Sequence, residues 1–147
     1  MYIEGNARID SRTKDLVNRL TQKDIAVIKH CDIDEIAAIG LANKKPLIVL
    51  NFSDSISGRY PNVGPEILVK EGIKLLDVHE QSSFDDINEG DNIIIDDGFI
   101  YVKDKKVSTY TEFDMDLVNE KIEESKKNLE VVLEAFLDNT IDYAKKK

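Results

Sequence analysis

Ser55, Ser57, Gly58, Arg59, Tyr60, Asn62 and Gly64 fall in one loop, 53–66, that runs into Pro65-Glu66. A polar loop ending at a helix N-terminus suits an anion. Free backbone N–H groups point out of the first helical turn, and Arg59 adds a planar fork of donors. Arg12 and Lys14 are a second source of positive charge and are candidates for the same anion. The bland readings are equally physical. Serine, glycine and proline are ordinary turn residues, and Arg12 and Lys14 stand beside Asp10 and Asp15 as solvated charges would. Spacing alone leaves an anion site and a plain crossover as alternatives. Neither G-x-G-x-x-G nor the P-loop pattern is present.

His30-Cys31 invites a nucleophile or a metal. His79 is the only other histidine and no second cysteine exists, so a zinc site lacks ligands. A Cys–His dyad needs the two side chains to meet, whereas neighbours on a strand point to opposite faces. No catalytic residue, metal ligand or cofactor is therefore assigned.

The net charge of −9 and a pI near 4.7 argue against nucleic acid and anionic lipid as partners, since both attract basic surfaces. Any anion must be held locally against that field. A hydrophobic content of 41% supplies one core. The single cysteine excludes an intrachain disulfide and fits a reducing cytoplasm. Charged residues at 8–15 do not resemble a signal peptide, and no apolar run approaches the roughly 18 residues of a membrane span, so no direct membrane insertion is expected.

The elements that must position these residues alternate. Tyr2 to Ile9 reads as a strand, followed by a helix capped by Ser11 or Thr13 with Leu16, Val17 and Leu20 on its apolar face. Asp24 to Ile28 is a strand, and a helix starts at Asp32 or Asp34. Pro46 to Asn51 is a buried strand, a short helix opens near Gly64-Pro65-Glu66 and stops at Gly72, and Ile73 to Leu76 begins another strand. Strands alternating with helices imply parallel pairing with crossover helices. Asn92 to Ile95, Phe99 to Val102 and Lys106 to Thr109 then form a β-meander, with Asp96-Asp97-Gly98 as a hairpin turn. The expected architecture is α/β, with a domain over residues 1–111.

From Glu112 no glycine or proline interrupts the chain. Residues 112–147 are expected to form one long helix, about 50 Å if fully helical, capped by Asp114 or Thr111. Ile122, Leu129, Phe136 and Tyr143 recur at heptad spacing, and Val132 and Leu133 widen the stripe. The helix is expected to pair with a second copy or to lead into a further domain rather than dock on its own domain.

Gly5-x-Ala7-Arg8-x-Asp10-x-Arg12-Thr13-Lys14, then Gln22 to Ile28, and above all Ser55-Ile56-Ser57-Gly58-Arg59-Tyr60-Pro61-Asn62-Val63-Gly64-Pro65, is similar to the N-terminal part of the SteA family of cytokinetic ring proteins. Leu133 to Tyr143 resembles that family's linker helix. The resemblance implies a role in bacterial cell separation, a membrane-bound coiled-coil division partner, and a missing domain similar to thiamin pyrophosphokinase. A weaker likeness, carried by Ser57-Gly58-Arg59 and Glu89 to Asp96, is to the swivelling domain of phosphoenolpyruvate-utilising enzymes, which implies a three-layer β/β/α fold. Tyr60 to Val63 replace that family's phosphohistidine region, so its phosphotransfer chemistry is not expected. The combined expectation is a non-enzymatic regulatory or scaffold domain, cytoplasmic and homodimeric, with an anion-binding loop. The alternative is a fragment of a nucleotide- or diphosphate-binding enzyme. In that case Arg59, Ser57, Asn62, Arg12 and Lys14 line a phosphate-ester site, and Asp54, Asp10 or Asp32 serves as general base.

Overall fold

The structure, a computed structural model, describes the backbone of residues 1–145 and the side chains of residues 1–139. In chain order it contains β1 (Tyr2–Ile9), α1 (Thr13–Val17), β2 (Asp24–Ile28), α2 (Glu35–Lys44), β3 (Ile48–Asn51), α3 (Gly64–Lys70), β4 (Leu75–Val78), a 3-10 turn (Gln81–Asp86), β5 (Asn92–Asp96), β6 (Phe99–Val102), β7 (Lys105–Glu112) and α4 (Met115–Lys145).

The seven strands close into a barrel in the order β1-β2-β3-β4-β7-β6-β5. β1 to β4 are parallel neighbours joined by the helical crossovers, and the meander β5-β6-β7 is antiparallel. Two pairings close the sheet. β1 pairs antiparallel with β5, Tyr2 opposite Asp96 and Asn6 opposite Asn92, and β7 pairs antiparallel with β4, Val78 opposite Tyr110. This corrects the three-layer β/β/α swivelling architecture. The α/β content stands, but the meander is not a flap laid over a parallel sheet; it bridges the sheet's two edges. β7 extends past the expected Lys106–Thr109 because its last residues serve as the partner of β4.

The period-two alternation separates the parallel strands into an inner and an outer face. Ile25, Val27, Ile48, Leu50, Leu76 and Val78 point into the barrel, where Ala7, Phe52, Phe84, Ile93, Ile95 and Ile100 join them. Ala26, Ile28, Val49 and Leu75 point outward and are covered by Leu16, Ala38, Leu41, Leu68 and Val118 from the helices. Both faces are buried, which is why β2 and β3 read as unbroken apolar runs rather than alternating ones.

Local chemistry sets the helix starts. Asp34 caps α2, accepting from the Ala37 N–H at 2.7 Å, and Asp114 caps α4, accepting from the Leu117 N–H at 2.8 Å. The expected Ser11 or Thr13 cap of α1 is corrected: Arg12 holds the cap position with no side-chain bond to the helix, and the Thr13 hydroxyl is instead 2.8 Å from His30 Nδ1. The hairpin at Asp97-Gly98 has both residues at positive φ, as a two-residue turn with this twist requires; so does the second hairpin, at Lys103-Asp104.

α4 docks on the domain through its first turns. Val118 is buried, and Met115, Leu117 and Ile122 pack on the outer core. Ile122, expected on an intermolecular seam, is thus spent on its own domain, and Leu129 is half-buried. Val131, Val132, Leu133, Phe136 and Leu137 are exposed. Tyr143 lies outside the residues whose side chains are described. No helix among the described residues is long and apolar enough to cross a membrane.

Candidate functional site

β1 to β4 run parallel, so their carboxyl ends and the loops that follow open at one end of the barrel. Ligands of parallel α/β sheets bind at that end, where strand-to-helix loops are free of the packing that fixes the strands. Arg12, His30, Cys31 and the 53–66 loop all lie there.

Most of the 53–66 loop is committed to its own structure. Ser55 is fully buried; its N–H and hydroxyl both donate to the Asp77 carboxyl, at 3.1 and 2.5 Å, and its oxygen accepts from Asn51 Nδ2 at 2.8 Å. Asn62 is buried and donates to the Ile33 and Ser55 carbonyls at 3.0 and 2.8 Å. Gly64 packs on the Ile33 carbonyl, where a Cβ would overlap the oxygen. The Ser57 N–H and hydroxyl donate to the two Asp32 oxygens at 2.7 and 2.8 Å. Gly58 takes φ +94°, and its carbonyl accepts from Asn128 Nδ2 of α4 at 2.8 Å. The loop therefore locks itself between β2, β4 and α4. Ser55, Asn62 and Gly64 are turned inward and build the loop instead of presenting it to a ligand.

Arg59 and Tyr60 are the candidate residues of the loop that are exposed, beside Asp54 and Val63. Arg59 lies back along the loop: its Nε donates to Ser57 Oγ at 3.2 Å, and its Nη2 is 3.3 Å from Cys31 Sγ and 3.7 Å from Asp32 Oδ2. Cys31 in turn lines an open groove of about 900 Å³. Arg12, Thr13 and Lys14 of the β1–α1 junction, His30 of β2's carboxyl end, and Val17, Ile36, Ala37 and Gly40 of α1 and α2 form its walls, together with the carboxylates of Asp15 and Asp34. Two candidate cations, Arg12 and Lys14, thus share one groove, and the third, Arg59, touches its rim. Arg12 reaches Asp15 only at 3.9 Å, and no ion pair holds Lys14 among the described residues. Lys29 also lines the groove, but its ammonium turns toward the Phe84 ring, 5.7 Å from the centroid.

His30 and Cys31 do not form a dyad. The imidazole bonds Thr13, while Cys31 Sγ lies 3.6 Å from Asp32 Oδ2 and against Arg59. Among the described residues no cluster of three or more His, Cys, Asp or Glu is placed to hold a metal.

Each of the three candidate bases already accepts a hydrogen bond, Asp54 from Gln81 Nε2 at 3.2 Å. Asp32 is committed to Ser57. Asp10 accepts from the Arg12 N–H at 2.9 Å and from Arg19 Nη1 at 3.1 Å, which together hold its carboxyl below the usual range. Arg19 continues to Glu89 Oε2 at 3.0 Å and to the Ile9 carbonyl at 2.9 Å, clamping the end of β1. Asp54 lines a separate pocket of about 260 Å³ with Asp77, His79, Gln81, Thr111 and Lys121.

Asp77 is the residue that sequence reasoning missed. Burial pushes its carboxyl up to about 6 although Ser55 donates to it twice, with Asp54 adding to the rise and Lys121 opposing it. It stands on the helix-facing side of β4, where its neighbour in the alternation is Leu75. An acidic residue at an outward position of a strand buried on both faces was the available signal. His79 is tied to the Thr109 and Thr111 hydroxyls, each at 2.7 Å.

No protein-family model matches the chain, and no curated protein matches it. These findings correct the SteA resemblance. They equally give no support to a thiamin-pyrophosphokinase-like or swivelling-domain relative. The Ser55 to Pro65 run that carried the likeness is accounted for by the loop's internal bonding and by the close approach of Gly64 to Ile33, which are demands of a crossover and specify no function. Among solved structures the chain is similar to a 3-isopropylmalate dehydratase (leuD) from Methanocaldococcus jannaschii, at 14% identity and a TM-score of 0.49, over 92% of this chain and 99% of that one.

Proposed function

We propose that the chain is a non-enzymatic ligand-binding module that takes a small anion in the groove between α1 and α2 and associates with a second copy through the distal part of α4. The observation that carries the reading is the convergence of Arg12 and Lys14 in one groove at the carboxyl end of the parallel strands, with Arg59 at its rim, on a chain of net charge −9. Asp15 and Asp34 line the same groove, so the reading rests on Arg12 and Lys14 meeting the anion directly and not on a net positive groove. The Asn128 bond to the Gly58 carbonyl supports a regulatory role, because it ties α4 directly to the loop that carries Arg59. Thermal shift with phosphate, sulfate, short carboxylates and nucleotides tests the proposal. A ligand at about 100 times its dissociation constant adds about 2.7 kcal/mol, a rise of several degrees. That rise is expected for at least one anion and is lost in Arg12→Ala combined with Lys14→Ala. A flat panel rejects the reading.

One observation favours a second reading, an enzyme. Asp77, with its raised pKa, lines a pocket together with His79 and Lys121, and a carboxyl that titrates near neutrality beside a lysine is suited to proton transfer. Turnover of any small substrate that disappears in both Asp77→Asn and Lys121→Ala, with the fold intact, would select this reading over the first.

A further inference from the structure

The groove has an apolar side that a bare inorganic anion does not use. Ile36 of α2 is 85% exposed although it lines the groove. Ala37 follows it, and Gly40 lies one turn along on the same helical face. Val17 of α1 closes the strip: a Cβ on residue 40 would come within 3.2 Å of Val17 Cγ2, so the missing side chain at Gly40 is what lets α1 and α2 approach here. Ile36, Ala37, Gly40 and Val17 thus form a continuous apolar strip beside Arg12 and Lys14. The volume, about 900 Å³, is in the range of sites that take an organic molecule, which are mostly apolar with a few polar groups fixing orientation.

Resting on the anion-binding reading above, we propose that the ligand is a soluble amphiphilic anion, an aliphatic carboxylate whose head group meets Arg12 and Lys14 and whose apolar body lies on Ile36, Gly40 and Val17. Arg12 and Lys14 set the head, which must sit clear of Asp15 and Asp34, and the exposed Ile36 with the half-buried Ala37, Gly40 and Val17 sets the body. A bilayer of anionic lipid is disfavoured as the source of this chemistry, because a surface of net charge −9 is repelled from it.

The test uses the full chain and titrates octanoate, acetate, inorganic phosphate and 1-octanol by calorimetry, with amide chemical shifts read in parallel. Octanoate is expected to bind about ten-fold or more tighter than acetate, as covering an exposed isoleucine implies, and tighter than octanol, which lacks the charge. Its shifts should fall at Arg12, Ile36 and Gly40. Ile36→Ser, at an exposed position, should weaken octanoate about ten-fold and leave acetate and phosphate unchanged. Arg12→Ala with Lys14→Ala should weaken all three anions. Equal binding of octanoate and acetate, or no effect of Ile36→Ser, overturns the amphiphile proposal while the anion groove stands. Equal binding of octanol and octanoate overturns the head-group assignment and with it the proposal. Absence of binding by every probe overturns both readings. Association with phosphatidylglycerol vesicles in place of soluble octanoate also overturns it.

Discussion

Gly64 rests directly on the main-chain carbonyl of Ile33, donating its N–H to that oxygen at 3.1 Å and leaving no room for a side chain between them. The contact joins the start of α3 to the loop between β2 and α2 and closes the base of the 53–66 loop. Gly64→Ala must push two backbone segments apart, and overpacking of this kind costs about 1 to 3 kcal/mol. A lowered denaturation midpoint at unchanged m-value is the expected result; an unchanged midpoint would show that the two segments separate freely.

Asp77 makes stability depend on pH in the unusual direction for a carboxylate. Its folded pKa is raised from 3.8 to about 6, so the folded state binds the proton more tightly than the unfolded chain does. Burying the charged form costs stability above about pH 6, and that cost is relieved as pH falls from about 6 toward 3.8. The full shift corresponds to about 3 kcal/mol as an upper bound. Denaturation measured between pH 4 and 8 should therefore show that Asp77→Asn flattens the pH dependence. A wild type and variant with parallel curves would contradict this account.

Arg19 holds the end of β1 by bonding Asp10, Glu89 and the Ile9 carbonyl at once. The guanidinium is more than a third exposed, so solvent weakens each contact. Arg19→Ala is expected to cost about 1 kcal/mol. The lowered pKa of Asp10 gives stability that is present above the unfolded pKa and lost as pH falls through the folded value. The Arg19→Ala deficit should accordingly shrink in strong acid. A deficit that is constant down to pH 2 would assign it to lost packing instead.

The distal apolar surface of α4 is expected to act in association and not in the stability of the domain. Leu133 is exposed, beyond the docked turns of the helix. Leu133→Asp should leave the unfolding free energy of the domain within about 0.5 kcal/mol of wild type. In sedimentation equilibrium the wild type should dimerise with rising concentration and the variant should remain monomeric. Identical behaviour of the two would remove α4 from the association reading.

The strands and the helices were legible because their signals are local. Tyr2–Ile9 and Asp24–Ile28 match the expected strands, and Asp34, Pro65 and Asp114 mark helix starts through bonds or dihedrals fixed within one turn. Barrel closure was not legible. It depends on β1 meeting β5 and on β7 meeting β4, and nothing in the residues of β1 distinguishes a strand with one partner from a strand with two. Arg12 and Lys14 were identified as candidates from charge and do share a groove. Ser55, Asn62 and Gly64 were grouped as candidates by adjacency in the loop, but the Ser55 and Asn62 side chains face inward and the Gly64 backbone packs on Ile33, since a tight crossover must satisfy its own buried polar groups. Asp77 escaped notice because its peculiarity is burial, which only the packed helices create.

The pairing of Tyr2–Asn6 with Asn92–Asp96 also sets an order of events for the nascent chain. The first strand can find β2 early, but its other edge must wait until the meander has been synthesised. Closing so long a loop is entropically costly and slow, and contacts of this separation are made late. Until then, two strand edges are open to other chains, whereas the closed barrel leaves none among the described residues. The barrel's seam is therefore where newly made molecules are most exposed to misassembly, and a break in the chain within the meander would reopen it.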